Sequence, residues 1–483
     1  MLFNTVSYLA FLALAVVLYW LLRSRGRVWL LLAASLLFYA LWRYEFVLLI
    51  SFSAFVDYYF SLKIYDEKRP SWRKLWLVCS LSINLGLLAY FKYTYFLLDN
   101  VSGLGALLGQ DWVVDAGKII LPLGISFYTF LSISYTLDVY RGFFVPVRHF
   151  PTYLTYVMFW PHMIAGPILR AHELLPQLTG QGRFDVSRFA DGMRRVVFGL
   201  FLKVALADQL APFVDDAFQI APAHLSALDV WTMSFAFGLQ IYFDFCGYSM
   251  IAIGSARLLG VEFPENFNWP YLATSPRDFW KRWHITLSSW IRDYLYLPLC
   301  GVPVQDRSRG GLEVNVMRPG SVRSSVALFV TWFLMGLWHG AAWRFALWGV
   351  WHACFIWLYR LAAPRLAVLP LGVRAIGGWA ITLAVSMLAW IPFRAPTLHD
   401  SLMLMGRVFD VHAYGSLAFR ENFYLIVAVI FAGMLALHFI VRYSARVRSA
   451  LLRHTVETGA LAFAIFVLFI FLRPIGQFIY FQF

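Results

Sequence analysis

Apolar runs long enough to cross a bilayer recur along the chain, near residues 5–22, 28–42, 45–64, 74–97, 119–140, 195–216, 229–256, 322–339, 343–362, 374–393, 421–441 and 457–473. A hydrocarbon core takes roughly 17 to 25 helical residues, so the pattern predicts about eleven or twelve helical spans. Inside hydrocarbon every backbone N–H and C=O must be bonded within the protein. Long Leu-, Ala- and Phe-rich runs achieve this as helices, whereas barrel strands alternate polar and apolar residues. Composition agrees: 61% of the 483 residues are hydrophobic and 14% are charged, against roughly half and a quarter in soluble domains. The expected fold is an all-α polytopic membrane protein, with residues 1–483 as a single transmembrane domain.

The formal charge of +14 suggests a nucleic-acid footprint only until the positions of the basic residues are considered. Arg23, Arg25 and Arg27 follow the first run; Lys63, Lys68, Arg69, Arg73 and Lys74 follow the third; Arg141 and Arg148 follow the fifth. The segments between, such as 99–115 and 215–229, hold Asp but no Lys or Arg. Under the positive-inside rule the basic loops are cytoplasmic, the N-terminus lies outside, and no nucleic-acid partner is expected. The run from Thr5 to Leu22 lacks a basic leader and a small-residue cleavage site, so it reads as a retained first span and not a signal peptide.

Two segments break the pattern. The apolar stretch Tyr153 to Leu169 is interrupted by Pro161, Gly166 and Pro167, which predicts a re-entrant or broken helix of the kind tolerated beside a cavity. The second runs from Arg257 to Arg323 as a basic, cytoplasmic or interfacial segment ending in a Gly/Arg/Ser-rich loop around Gln305 to Arg323. Within it Phe279, Trp283, Leu287, Ile291 and Leu295 recur every four residues, predicting one amphipathic helix over 277–296 that lies along or dips into the interface, with Trp and Tyr at headgroup level.

A histidine in an apolar span is costly to bury without a partner, and so is a functional candidate. His339 stands in Met335-Gly-Leu-Trp-His-Gly-Ala-Ala-Trp343, where small residues leave room around the imidazole and Trp338 and Trp343 supply walls. A neutral imidazole with a pKa near 6.5 suits general-base work at neutral pH; an alternative is a histidine that only bonds helices together. His284 shares the predicted helical face with Trp280, Leu287 and Ile291. Were His339 and His352 on one continuous helix, their separation would put them on roughly opposite sides and about 20 Å apart. No metal site is expected: the remaining histidines are dispersed, His-Glu-x-x-His is absent, and Cys79, Cys246, Cys300 and Cys354 are scattered. Neither Gly-x-Ser-x-Gly nor a phosphate-binding P-loop occurs. A buried base, a basic inner face and aromatic walls fit a membrane transferase, and equally a transporter with a histidine proton relay.

Four stretches then carry a likeness: Leu121-Pro-Leu-Gly-Ile-Ser-Phe-Tyr-Thr-Phe130; Gln240-Ile-Tyr-Phe-Asp-Phe-Cys-Gly-Tyr-Ser249; Pro276-Arg-Asp-Phe-Trp-Lys-Arg-Trp-His-Ile-Thr-Leu-Ser288 with Arg292-Asp-Tyr-Leu-Tyr-Leu-Pro298; and Gly336-Leu-Trp-His-Gly-Ala-Ala-Trp343. The chain resembles the membrane-bound O-acyltransferase (MBOAT) family over most of its length, within the branch of alginate O-acetylation membrane proteins and teichoic-acid D-alanyl transfer proteins. In the second stretch the family pattern resembles Ser-Gly-Tyr-Ser-Asp, and Cys246 and Met250 take the places of the first Ser and the Asp. The resemblance implies tilted helices around a central funnel or tunnel, with His339 as the catalytic histidine and His284 as its companion. It also implies acetyl-CoA as the acyl donor, its phosphates near Lys281 and Arg282 with Trp283 and Trp338 as walls of the donor site. His339 would take the proton of an acceptor hydroxyl, and His284 would orient the thioester or stabilise its oxyanion. Further implications are a bacterial inner-membrane location among lipid, a periplasmic acetyltransferase or acceptor protein as partner, and an exported polysaccharide such as alginate as the final acceptor. The nearest enzyme alternative is transfer of D-alanine from a carrier protein to a wall polymer.

Overall fold

The computed structural model describes residues 2–112, 115–163, 166–180, 182–302, 321–444 and 450–471. Helices account for all the regular structure among them, and no strand occurs there. A helix forms within each of the twelve expected runs; in 119–140 it begins only at Ile125, and 472–473 lie outside the described residues. The helices are α1 (Val6–Leu21), α2 (Ser24–Arg43), α3 (Glu45–Asp66), α4 (Pro70–Leu107), α5 (Ile125–Tyr140), and, after the short α6 (Phe150–Met158), α7 (Trp160–Met163) and α8 (Ala171–Thr179), the long α9 (Val186–Ala217) and α10 (Ala227–Leu258). The short α11 (Pro276–Trp280), α12 (Ile285–Ile291) and α13 (Leu297–Cys300) precede α14 (Val322–His339), α15 (Trp343–Leu366), α16 (Leu371–Arg394), α17 (Leu398–Arg407), α18 (Glu421–Ser444) and α19 (Ala450–Phe471). Eight of these, α2, α3, α4, α9, α10, α16, α18 and α19, are long and apolar enough to cross a membrane. The other four expected spans, α1, α5, α14 and α15, are helices in place but shorter or less apolar. The chain is thus an all-α polytopic membrane protein, with its described residues in two compact units.

The first unit comprises Met1–Met193 and Ala252–Pro264. Tyr8 of α1 bonds Ser255 at 2.8 Å, and Trp20 donates to the Leu258 carbonyl at 2.9 Å. Between α3 and α4 one oxygen of the buried Asp57 carboxylate accepts from Ser80 at 2.6 Å and from Asn84 at 2.7 Å. Gly124 starts α5 in the left-handed region (φ 74°), where a side chain would also strike the Met163 carbonyl. The expected break in the 153–169 stretch is present: the helix stops at Phe159 and resumes for one turn at Trp160, with residues 152–163 all buried.

The second unit comprises Arg194–Ile251, Glu265–Pro303 and Asn315–Phe483. A π-turn at Leu202–Ala207 in α9 and the close approach of Gly199 and Gly247 bring α9 and α10 together, each glycine standing where a Cβ would meet the other's carbonyl. The single amphipathic helix expected over 277–296 does not form. The chain ends α11 at Trp280, turns through Lys281–His284, and starts α12 at Ile285, with His284 in the left-handed region at φ 41°. Phe279, Trp283, Leu287 and Ile291 are buried in protein instead of lying at headgroup level. Tertiary hydrogen bonds from Asn268 N–H to the Arg282 carbonyl and from Ile285 N–H to the Asn266 carbonyl, both 2.9 Å, override the local periodicity. The Gly/Arg/Ser-rich loop expected around 305–323 lies, up to residue 320, outside the described residues.

Candidate active site

α14 ends on His339, and Gly340 follows in an extended conformation with its N–H bonded to the Gly336 carbonyl. The chain turns through Ala341 and Ala342 into α15, so α14 and α15 form a hairpin. Gly336 and Gly349 are where its two backbones meet: a Cβ on Gly336 would overlap the Phe345 carbonyl, and one on Gly349 the Trp332 carbonyl. A Cβ on Gly340 would enter the Phe345 ring. The glycines therefore close the hairpin and do not break α14, which runs unbroken to His339.

The His339 ring is 5% exposed and framed by three aromatic rings, all roughly edge-on. Trp338 lies at 4.9 Å between centroids, Trp348 at 4.8 Å and Phe393 of α16 at 5.3 Å. The Trp rings expected as walls are thus partly those present: Trp338 is one, whereas Trp343 is half exposed and Trp348 takes the second place. The hairpin also changes the relation of the two histidines. His352 meets the same Trp348 edge-on at 4.9 Å, with Trp280 at 4.9 Å and Trp332 at 5.4 Å completing its cage. A one-helix geometry with the histidines on opposite sides does not apply.

Trp283 belongs to the same aromatic cluster. It lies 4.8 Å from Trp390, which reaches Phe393 at 5.6 Å, and it is parallel to Phe279 at 5.9 Å. His284, the next residue, is 1% exposed; its Nδ1 lies 3.0 Å from Asn266 Oδ1, and its ring meets the edge of Phe245 at 4.6 Å. Lys281 and Arg282 occupy the opposite side of the turn. Lys281 is exposed, whereas Arg282 pairs with Asp278 at 2.9 Å and also donates to the Asn268 carbonyl. The structure therefore brings Trp283, Trp338 and His339 into one cluster, seats His284 beside it in sequence, and puts the two cations outward.

The Gln240–Ser249 stretch supports this region position by position. Tyr242 packs on Trp283 at 6.2 Å, Phe245 on His284, Gly247 on Gly199, and Ser249 accepts from Asn266 at 3.1 Å. Asp244 completes a buried ion triad with Lys203 (2.6 Å) and Asp208, itself 2.7 Å from Lys203. Asn266 and Lys203 were not among the residues expected from sequence. Lys203 in an apolar run was a readable signal, since a charge there needs a partner; Asn266, in a polar loop, carried none. Among the described residues no group of three or more His, Cys, Asp or Glu side chains is arranged to hold a metal ion.

Residues 146–394 match the membrane-bound O-acyltransferase family. The chain is 37% identical over 408 residues to the probable alginate O-acetylase AlgI of Azotobacter vinelandii, covering 84% of this chain and 77% of that protein. It is 33% identical over 438 residues to the peptidoglycan O-acetyltransferase of Helicobacter pylori, covering 84% and 79%. It is 26% identical over 248 residues to the teichoic acid D-alanyltransferase of Bacillus subtilis, covering 50% and 60%.

Proposed function

As a member of the membrane-bound O-acyltransferase family this chain is an O-acyltransferase, and from that premise we propose that it moves acetyl groups from cytoplasmic acetyl-CoA across the bacterial inner membrane. The acceptor is a hydroxyl on a periplasmic acetyltransferase or acceptor protein, which passes the group to an exported polysaccharide such as alginate. The acetyl reading is supported by relatives named O-acetylases and O-acetyltransferases, which align over 84% of the chain. The D-alanyl reading rests on a weaker likeness over half of it.

The observation that carries the mechanism is His339, buried among Trp338, Trp348 and Phe393 at the end of its helix. One imidazole nitrogen takes the proton of the acceptor hydroxyl as its oxygen attacks the thioester carbonyl. The new C–O bond forms, the C–S bond breaks, and the proton passes to the departing thiolate, giving an acetyl ester and free CoA thiol. His284 is the companion histidine of this site, reached through a tunnel between the helices. Trp283 and Trp338 wall the donor, and Lys281 with Arg282 attract its phosphates. The basic loops face the cytoplasm and the N-terminus the periplasm.

The test is thiol release from radiolabelled acetyl-CoA by purified protein. His339→Ala is expected to lose at least ~100-fold in rate, the lower range for general acid–base catalysis. Normal turnover in that variant defeats the assignment of His339, and no release by the unmodified protein defeats acetyl-CoA as donor.

A further inference from the structure

We infer that Asn266 is a positioning residue that locks His284 into the tautomer protonated at Nδ1, so that His284 meets the substrate with the lone pair of Nε2. This inference rests on the proposed transferase reading, and it deepens it by assigning the companion histidine a direction of hydrogen bonding.

The amide of Asn266 has no freedom to be read the other way round. Its Oδ1 accepts from the backbone N–H of Thr286 (3.4 Å), which can only donate, and from the Thr286 hydroxyl (2.9 Å). Its Nδ2 donates to the Ser249 hydroxyl at 3.1 Å. With the carbonyl oxygen on this side, the His284 Nδ1 at 3.0 Å must carry the hydrogen, and a neutral ring then has its lone pair on Nε2. Asn266 is fully buried, and its own carbonyl accepts from Ile285 N–H at 2.9 Å, so one residue grips the backbone and the side chain around His284. His284 and Trp269, which flank this segment, are the two non-glycine residues with positive φ among the described residues. Such a conformation persists for a bulky residue only where its surroundings over-determine it, and it gathers at working sites.

The chemical consequence separates two roles. A neutral His284 held this way has no N–H at Nε2, so it cannot donate to a thioester oxyanion. It accepts the hydrogen bond of the incoming hydroxyl before the attack, holding that oxygen toward the acyl carbon until its one proton is handed to His339. The titratable groups on elements packed against the ring are Asp244 (paired with Lys203) and Cys246 on α10, Glu265 (paired with Arg195), and Lys281 and Arg282 on the outer side of the turn.

The experiment compares the pH dependence of acetyl-CoA thiol release for the unmodified protein, Asn266→Asp, Asn266→Ala and His284→Ala, each first shown to be monodisperse in detergent. Asn266→Asp keeps every acceptor bond and adds a negative charge beside the imidazole. It is expected to retain activity and to move the acid limb of the rate profile upward by roughly one pH unit or more, as an opposite charge at this range does. Asn266→Ala is expected to lower kcat with the KM for acetyl-CoA little changed, because the donor site is intact and the tautomer is not. An inactive His284→Ala together with an unmoved acid limb in Asn266→Asp overturns the positioning role. A fully active His284→Ala instead defeats the transferase site as assigned, whatever Asn266 does. If Asn266→Ala does not fold, the isosteric Asn266→Asp decides alone.

Discussion

Lys203 shows how much a single residue can cost or contribute in this chain. Its ammonium is 2% exposed and sits between Asp208 and Asp244, which are as deeply buried. Removing one partner from such a cluster leaves charge stranded in low dielectric, whereas neutralising both sides removes the problem. Lys203→Met is therefore expected to destabilise the protein by about 3–5 kcal/mol, read as a fall in the unfolding midpoint in detergent. Lys203→Met/Asp208→Asn should recover part of that loss, and a single variant that melts like the unmodified protein would mean the triad holds nothing together. The same physics explains which residues of the candidate site the sequence made legible. His339 and His284 stood out because an imidazole in apolar sequence demands a reason, and Lys203 carried the same signal. Asn266 did not: an asparagine between Glu265 and Phe267 is ordinary in a loop, and only the fold turns its amide inward. Trp348 and Phe393, the rings that frame His339 from later in the chain, were equally silent, since a tryptophan in a span reads as generic core.

At the scale of elements, the α14–α15 hairpin is specified by glycines that permit backbone contact. Gly336 lies against the Phe345 carbonyl and the Gly349 amide, with no room for even a methyl group. Gly336→Ala must push the two helices apart, an overpacking cost of about 1–3 kcal/mol. Because His339 ends the displaced helix, thiol release should fall together with the unfolding midpoint. Gly433→Ala on α18 is the matched control, since a Cβ there meets nothing within 4 Å. Equal melting of the two variants would refute the close-packed hairpin. Element existence was the most legible level: each of the twelve apolar runs holds a helix, because backbone satisfaction in hydrocarbon leaves little choice. Element continuity was not. The four-residue period over 277–296 is genuine, yet Phe279 is buried on α11, Trp283 in the turn, and Leu287 and Ile291 on α12 beyond a left-handed histidine. Likewise the π-turns at Ala89–Tyr93 and Leu202–Ala207 leave no mark in hydropathy, because the flanking residues stay apolar.

For the whole molecule, the decisive quantity is apolar surface that the protein does not cover. Phe469 is 84% exposed, and Leu437, Phe439 and Ile440 are each about half exposed, on helices whose most apolar windows are only 6% and 11% buried. Apolar surface of that extent is stable against lipid and unstable in water. The bilayer thus takes the place that a packed core holds in a soluble protein, and charge then decides orientation. Lys63, Lys68, Arg69, Arg73 and Lys74 gather at the start of α4, while the segment beyond its far end, 108–117, has Asp111 and Asp115 and no Lys or Arg. Each cation kept out of the hydrocarbon avoids a transfer that insertion measurements put at roughly 2.5–3.5 kcal/mol at the helix centre. In a variant with Cys79, Cys246, Cys300 and Cys354 replaced, single cysteines at the exposed positions Lys68 and Gln110 bracket α4. A membrane-impermeant maleimide applied to cells with a permeabilised outer membrane is expected to label Gln110→Cys and spare Lys68→Cys until the inner membrane is opened. The reverse pattern would invert the orientation proposed from charge, and labelling of both would mean that α4 does not cross.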